Sequence, residues 1–174
     1  MMQLQIEHKC EGPEATTAFG HSFAQLLDGG DLLALSGDLG AGKSTFARAL
    51  ISQCLEDIGQ PVSDIPSPTF TIVQSYPWPS DKDQGREIWH IDLWRIDDPE
   101  ELIELGFEEA IGRHAMIIEW PDRLGGYLPD DGLMVDITAC DDGAARMITM
   151  TSPSKTWMAR LDKANLGKVT LLDD

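Results

Sequence analysis

One short segment of the sequence combines glycines, a lysine and a hydroxyl at the spacing that proteins use to hold phosphate groups. Residues 37–44 read GDLGAGKS and match the pattern G-x-x-x-x-G-K-[ST] at every fixed position. Glycines let the backbone wrap closely around phosphates with several N–H groups pointing inward, and a helix that follows adds its positive N-terminal end. In such a loop the lysine reaches the terminal phosphates and the hydroxyl binds Mg²⁺. Lys43 and Ser44 are therefore expected in these two roles.

The segments on either side of this loop support the same interpretation. Leu32–Ser36 is a short apolar run, as expected of a strand buried on both faces. Lys43–Leu55 has apolar residues close to helical spacing. A strand, a glycine-rich loop and a helix in this order predict a site for ATP with Mg²⁺. The loop residues predicted to bind the nucleotide are Gly37, Asp38, Leu39, Gly40, Ala41, Gly42, Lys43, Ser44 and Thr45.

Two acids stand where apolar runs end. Asp92 ends the run Ile88–Asp92, and Glu119 ends Met116–Glu119. Acids at strand ends of an open α/β sheet point into the ligand crevice, where a P-loop enzyme needs one group for Mg²⁺ and one for the attacking water. A buried unpaired carboxylate is costly, so a metal ion or a polar network is expected beside each. His90, on the same side of its strand as Asp92, either moves a proton or hydrogen-bonds the loop.

The rest of the pattern alternates strands and helices, which predicts an α/β protein. The fold expected is a P-loop NTPase-like three-layer fold, with a mainly parallel central sheet and antiparallel edge strands. Residues 1–152 are expected to form the P-loop ATPase domain, and residues 153–174 a C-terminal tail or short helix. Helices are predicted at Pro13–Leu27, at Lys43–Leu55 and from about Asp98 onward. Strands are predicted at Met2–Glu7, Leu32–Ser36, Thr69–Tyr76, Ile88–Leu93, Met116–Trp120, Leu133–Thr138 and Arg146–Thr151, the last two as a hairpin.

Composition narrows the classes of partner and compartment. The 174 residues carry 13 basic and 30 acidic side chains, a formal charge of −17. Tight binding to nucleic acid by a protein acting alone needs a basic patch, so another protein is expected to hold any RNA. No apolar run approaches the roughly 18 residues of a membrane span, and the N-terminus does not resemble a signal peptide. Three scattered cysteines fit reduced thiols, so we expect a cytoplasmic protein without membrane attachment.

Four segments together resemble a known family. In order they are GDLGAGKS at 37–44, SPTFTIV at 67–73, HIDLWR at 90–95 and IIEWPDRL at 117–124. Their order and content closely resemble the TsaE family (formerly YjeE), small bacterial ATPases needed to make threonylcarbamoyladenosine in tRNA. The helix start DPEELIELGFEEA at 98–110 fits as well. The combination is far more specific than the phosphate loop alone.

The resemblance implies partners as well as an activity. It implies that the chain acts with two proteins, TsaB and TsaD. TsaD transfers the threonylcarbamoyl group to the adenosine next to the anticodon, and ATP hydrolysis by TsaE supports turnover of the assembly. Contact with tRNA would then be indirect, which is compatible with the acidic charge of this chain.

The resemblance also assigns roles to individual residues. Lys43 matches the phosphate-binding lysine, and Ser44 matches the hydroxyl that ligates Mg²⁺. Asp92 matches the acid of an HxDxYR-like element, and Glu119 the acid of an EW element. The expected catalytic residues are Lys43, Asp92 and Glu119. Glu119 is assigned to Mg²⁺, directly or through water, and Asp92 to positioning or activating water, although these two roles are open to exchange.

Further positions belong to the same elements. Thr69 lies in a switch-like SPT element and is expected to contact the nucleotide, and Trp120 follows the second acid. Two residues depart from the family pattern. Ser44 stands where many members have Thr, which keeps the hydroxyl, and Trp94 stands where Tyr is usual, which leaves an aromatic face for packing or a partner.

Other nucleotide-binding classes fit the sequence less well. A small-molecule P-loop kinase shares the loop, but the chain lacks the Arg-rich lid segment typical of such enzymes. A GTPase would need an NKxD motif and an ABC-type ATPase an LSGGQ-like signature, and the sequence contains neither. A nucleotide-dependent binding switch, in which hydrolysis is incidental, remains the alternative from a different functional class.

Overall fold

The alternation of apolar runs and amphipathic segments produces one sheet with helices on both faces. The computed structural model describes residues 3–60, 62, 64–79, 85–98 and 100–172. The strands in these ranges are β1 (Gln3–Glu11), β2 (Leu32–Ser36), β3 (Val73–Pro77), β4 (Glu87–Asp92), β5 (Ala115–Glu119), β6 (Leu133–Cys140), β7 (Ala145–Ser152) and β8 (Lys168–Leu172). The helices are α1 (Pro13–Phe23), α2 (Lys43–Asp57), α3 (Glu100–Glu104), α4 (Phe107–Ala110) and α5 (Lys155–Ala164).

The described strands form a single mixed sheet in the order β3-β4-β5-β2-β6-β7-β1-β8. The four central strands, β4, β5, β2 and β6, pair in parallel. The remaining pairs, on both sides of this centre, are antiparallel. The predicted fold class, with a parallel centre and antiparallel edges, is therefore confirmed.

Two hydrophobic cores lie on opposite faces of the sheet, and β2 is therefore buried on both sides. Leu33 and Leu35 of β2 join the core formed with α1 and α2, whose large members include Phe23 and Phe46. Leu32 and Ala34 of β2 join the second core, to which α3 and α4 contribute side chains. This alternation follows from the two-residue period of a strand and produces three layers.

The parallel strands end at one edge of the sheet and place their last residues together. Asp92 ends β4 and Glu119 ends β5, and these two residues are direct partners in the parallel pairing. The neighbouring strand β2 ends at Ser36, immediately before the glycine-rich loop. The glycine-rich loop and the two acids therefore lie together at the carboxyl ends of the parallel strands, where open α/β sheets form their ligand crevice.

One predicted strand is wrong in its first half. Thr69–Ile72 form a turn, and β3 begins only at Val73. The Ile72 N–H donates to the Pro68 carbonyl at 2.6 Å, and Ile72 has φ 65°, outside the β region. Strand propensity depends strongly on tertiary context, and in this turn the Thr69 hydroxyl donates a hydrogen bond to the Asp92 carboxylate at the end of β4.

The chain after β7 is more regular than the predicted tail or short helix. The helix α5 buries Trp157 and Leu161 in the core shared with α1 and α2. The strand β8, which was not predicted, pairs antiparallel with β1.

The helix predicted from Asp98 is also altered, because Gly106 at φ 75° separates α3 from α4. Met2 and Pro99, at the predicted starts of a strand and a helix, lie outside the described residues. No helix in the described ranges is long and apolar enough to cross a membrane.

Candidate functional site

The glycine-rich loop connects β2 to α2 and is shaped by glycine at its two ends. Gly37 has φ 132°, and a Cβ atom there would overlap the Ile137 carbonyl oxygen of β6. Gly42 caps the start of α2 at φ 114° and forms no side-chain cap. The first backbone N–H groups of α2 have no partner within the helix and are positioned to bind an anion.

Lys43 is folded back over the loop. Its Nζ donates to the carbonyl oxygens of Gly37 at 2.7 Å and Asp38 at 2.8 Å. The same Nζ lies 3.9 Å from the centroid of the Trp120 ring, a cation–π contact. Burial lowers the pKa of Lys43, while the negative charges of Glu119, Asp92 and Asp38 oppose this shift. The lysine is thus a preoriented cation at the base of the loop.

Glu119 joins the first turn of α2 to the strand β4. Its Oε2 accepts a hydrogen bond from Ser44 Oγ at 2.7 Å. Its Oε1 lies 2.8 Å from His90 Nε2. Glu119 and His90 are only 2% and 0% exposed, so bulk water cannot solvate the carboxylate. The hydrogen bonds to Ser44 and His90 take the place of that water, and they form the polar network expected from the sequence. His90 contacts the acid and not the phosphate loop.

Asp92 is held by the turn that replaces the predicted strand. Its Oδ2 accepts from Thr69 Oγ1 at 2.6 Å, and its Oδ1 accepts from the Trp94 backbone N–H at 3.0 Å. The hydroxyls of Ser67 and Thr69 lie 2.9 Å apart and extend this network. The SPT segment therefore meets the acid at the end of β4.

These groups surround one cavity of about 340 Å³. The structure brings together at its wall most of the residues predicted from sequence. Gly37 and Asp38 are not in the lining, since their carbonyls face Lys43, and Ala41 lines a neighbouring cavity. The lining residues are Leu39, Gly40, Gly42, Lys43, Ser44, Thr45, Arg48, Thr69, Asp92, Trp94, Glu119 and Trp120.

The donors at this cavity suit magnesium with phosphate better than a metal held by protein alone. Within the described ranges, no group of three or more His, Cys, Asp and Glu side chains is arranged to hold a metal. Mg²⁺ keeps several waters and is commonly bound by one or two oxygen side chains plus substrate phosphates. Ser44 Oγ and Glu119 Oε2, 2.7 Å apart beside the loop, match that requirement.

Arg146 is a residue of the site that the sequence did not reveal. It lies on β7, and its Nε donates to the Ala41 carbonyl at 2.7 Å, with Nη2 3.4 Å from the Gly40 carbonyl oxygen. Its Nη1 donates to the carbonyls of Gly143 and Ala145. The guanidinium thus joins the glycine-rich loop to the β6–β7 hairpin. No motif marks Arg146, because its partner in the loop is 105 residues away in sequence.

Exposed apolar side chains lie in the cavity lining or next in sequence to a lining residue. Leu39 is 80% exposed, and Phe70, next to Thr69, is 81% exposed with Arg95 stacked on its ring. Trp94 is 42% exposed and packs on Trp120 with ring centroids 4.5 Å apart. We call Leu39, Phe70 and Trp94 the apolar rim.

Comparison with known proteins finds relatives that share the fold and cover most of the chain. A crystal structure of Bacillus subtilis YdiB superposes with a TM-score of 0.70 at 27% identity, covering 92% of this chain and 94% of that chain. A tRNA threonylcarbamoyladenosine biosynthesis protein TsaE from Rickettsia conorii is 37% identical over 136 residues, which are 78% of this chain and 72% of that protein. The Haemophilus influenzae protein of the same name is 35% identical over 156 residues, 86% of this chain and 85% of that one.

The family model of the threonylcarbamoyl adenosine biosynthesis protein TsaE matches residues 10–148. That range contains the glycine-rich loop, the turn with Thr69 and both acids. The resemblance inferred from the four sequence segments is confirmed, and this chain belongs to the TsaE family.

Proposed function

We propose that this chain binds ATP with Mg²⁺ at the cavity beside the glycine-rich loop and hydrolyses it. We propose further that it does so as the ATPase component of the bacterial machinery for tRNA threonylcarbamoyladenosine, in the cytoplasm. The observation that carries the proposal is the convergence of Lys43, Ser44, Asp92 and Glu119 on one cavity. The family name supports the pathway.

Nucleotide binding would use two adjoining spaces. Gly40, Gly42 and Lys43 line the first cavity, where the terminal phosphates would lie. A second cavity of about 280 Å³ shares Gly40, Gly42 and Thr45 with the first. Its other walls include Pro13, Thr16 and Arg146, so it offers room for the nucleoside end.

Magnesium would be held by Ser44 and Glu119 together with phosphate oxygens. When bound, the ion neutralises negative charge that develops on the phosphates during transfer. Glu119 would act either directly or through a water molecule. Its second carboxylate oxygen is already occupied by His90, which leaves Oε2 for the metal side.

Asp92 would position or activate the attacking water. It is 4% exposed, lines the cavity and presents a carboxylate held by the Thr69 hydroxyl and the Trp94 backbone. A general base must lie within hydrogen-bond reach of the proton that it accepts, and low exposure limits competing solvent. Thr69, which is hydrogen-bonded to Asp92 and lines the cavity, would contact the terminal phosphate.

The partners TsaB and TsaD would dock over the apolar rim. Exposed apolar side chains next to a functional cavity are typical of a protein interface, and here two line the cavity and the third follows Thr69 of its lining. Such docking would exclude water and complete the site, so hydrolysis by the isolated chain is expected to be slow. A chain with charge −17 would leave tRNA contacts to those partners.

The decisive test is ATP turnover measured with and without the TsaB–TsaD pair. We expect the pair to raise the turnover number at least tenfold, which corresponds to about 1.4 kcal/mol of barrier. Phe70→Ser, in the apolar rim but outside the cavity lining, should reduce this stimulation with little change in the unstimulated rate. Ile103→Ser, an exposed apolar side chain of α3 outside the cavity lining, is the matched control. A wild-type rate unaffected by the pair would overturn the proposed role.

Arg146 provides a second test, of the loop itself. Arg146→Gln should weaken ATP binding several-fold, and it should lower the free energy of unfolding by about 1–3 kcal/mol, since several loop and hairpin carbonyls lose a charged donor. Arg113→Gln, which removes one contact to Gly85 from an exposed arginine, should change neither quantity. Nucleotide titration and urea unfolding measure the two effects. Equal behaviour of the two variants would show that Arg146 does not support the loop.

A further inference from the structure

We infer that His90 is a positioning residue for Glu119, which holds one carboxylate oxygen so that the other is presented to Ser44 and the metal. This inference rests on the proposed function, since it concerns how the Mg²⁺ ligand is oriented. It assigns to His90 a role other than a proton shuttle or a contact to the phosphate loop.

The geometry places His90 behind Glu119, on the side away from Ser44. In the parallel pairing of β4 with β5, His90 stands opposite Ile117, and Glu119 follows two residues later on the same face. The ring reaches Glu119 Oε1 at 2.8 Å while Ser44 reaches Oε2 at 2.7 Å. The carboxylate is therefore fixed at both oxygens by groups from different elements.

The direction of the hydrogen bond follows from the chemistry of the two groups. An ionised carboxylate only accepts, so His90 Nε2 carries the proton and donates. The other ring nitrogen, Nδ1, is buried and has no hydrogen-bond partner among the described residues. Among the described residues, the contact to Glu119 is therefore the only hydrogen bond of the His90 ring.

Burying a polar ring with one unpaired nitrogen lowers the stability of the folded protein. An apolar side chain of similar size would avoid the desolvation cost of that nitrogen. The contact that offsets this cost within the described structure is the one to Glu119. We conclude that the position serves the acid and not the core.

The expected consequence is specific to metal binding. Without the donor, the Glu119 carboxylate can rotate and direct its charge away from Ser44. Groups that orient a metal ligand typically change metal affinity or activity by about 10–100-fold when removed. Nucleotide binding in the absence of metal depends on the loop amides and Lys43, so it should be nearly unaffected.

Three variants of His90 distinguish the effect of its N–H donor from the effect of its side-chain volume. His90→Gln keeps an N–H donor near the position of Nε2, and His90→Leu fills the space without a donor. His90→Asn carries a shorter amide that reaches only about as far as Nδ1, and it serves if the leucine variant does not fold. Each folded variant is titrated with Mg²⁺ in the presence of a fluorescent ATP analogue, and separately with the analogue in EDTA.

We expect His90→Leu or His90→Asn to raise the half-saturating Mg²⁺ concentration about 10-fold or more, with affinity in EDTA within about twofold of wild type. His90→Gln should restore most of the Mg²⁺ response. Unchanged Mg²⁺ dependence in the leucine and asparagine variants, or a glutamine variant as impaired as they are, would overturn the inference. If the wild type itself shows no Mg²⁺-dependent nucleotide binding, the proposed function fails and takes this inference with it. A normal wild type with an unaffected leucine variant removes only the role of His90.

Discussion

Lys43→Ala is expected to weaken ATP binding about 100-fold and to remove measurable hydrolysis. The ammonium donates to the carbonyls of Gly37 and Asp38, and it would exchange those contacts for, or share them with, the terminal phosphates. A hydrogen bond to a charged group contributes about 1.5–3 kcal/mol, and about 2.7 kcal/mol corresponds to 100-fold in affinity. Titration with a fluorescent ATP analogue, by direct binding rather than turnover, measures the loss.

Two controls distinguish the charge of Lys43 from its packing. Lys43→Met keeps a long side chain against Trp120 but removes the cation, so it should bind ATP as weakly as Lys43→Ala. Lys155→Ala removes an exposed lysine at the start of α5 and should bind normally. An affinity for ATP that is unchanged in Lys43→Met would mean that the phosphates lie elsewhere.

Asp92→Asn is expected to abolish partner-stimulated hydrolysis, with a loss of about 100–10,000-fold, while ATP binding stays within about threefold of wild type. The amide has nearly the shape of the carboxylate and can still pair with Thr69 and the Trp94 N–H. It cannot accept a proton from water. Single-turnover kinetics together with nucleotide titration separate the two properties.

Two comparisons make the Asp92 result specific. Asp136→Asn alters a carboxylate that bonds Ser36 near the same loop but outside the cavity lining, and it should hydrolyse ATP normally. Glu119→Gln should instead raise the Mg²⁺ requirement, because Glu119 is the acid beside Ser44. If Asp92→Asn raises the Mg²⁺ requirement and Glu119→Gln does not, the two acids have exchanged roles.

The same variant separates an ATPase from a nucleotide-dependent binding switch. An ATPase role predicts that Asp92→Asn no longer supports repeated rounds of tRNA modification with TsaB and TsaD. A switch role predicts that the variant binds ATP, docks its partners and still supports modification without turnover. Measuring threonylcarbamoyladenosine formed per assembly therefore decides between them.

Much of the site could be predicted from sequence because its central part is contiguous. Residues 37–44 form the loop through local backbone geometry, and Lys43 and Ser44 then begin α2 at fixed positions. Asp92 and Glu119 could be found by a rule of similar simplicity, since each ends a buried strand of a parallel pair. The four-segment resemblance added the family, which the comparisons confirm.

Tertiary structure decided how these groups engage one another. The turn at Thr69–Ile72, which composition predicted as strand, places Thr69 in a hydrogen bond with an acid 23 residues later in the chain. Likewise His90 reaches Glu119 across 29 residues, and Arg146 reaches the glycine-rich loop across 105. Sequence by itself determined which chemical groups are available and the local shape of the glycine-rich loop. The pairing of each carboxylate oxygen of Asp92 and Glu119 with its hydrogen-bond donor depends on the order and register of the strands. No local pattern of residues encodes that order or register.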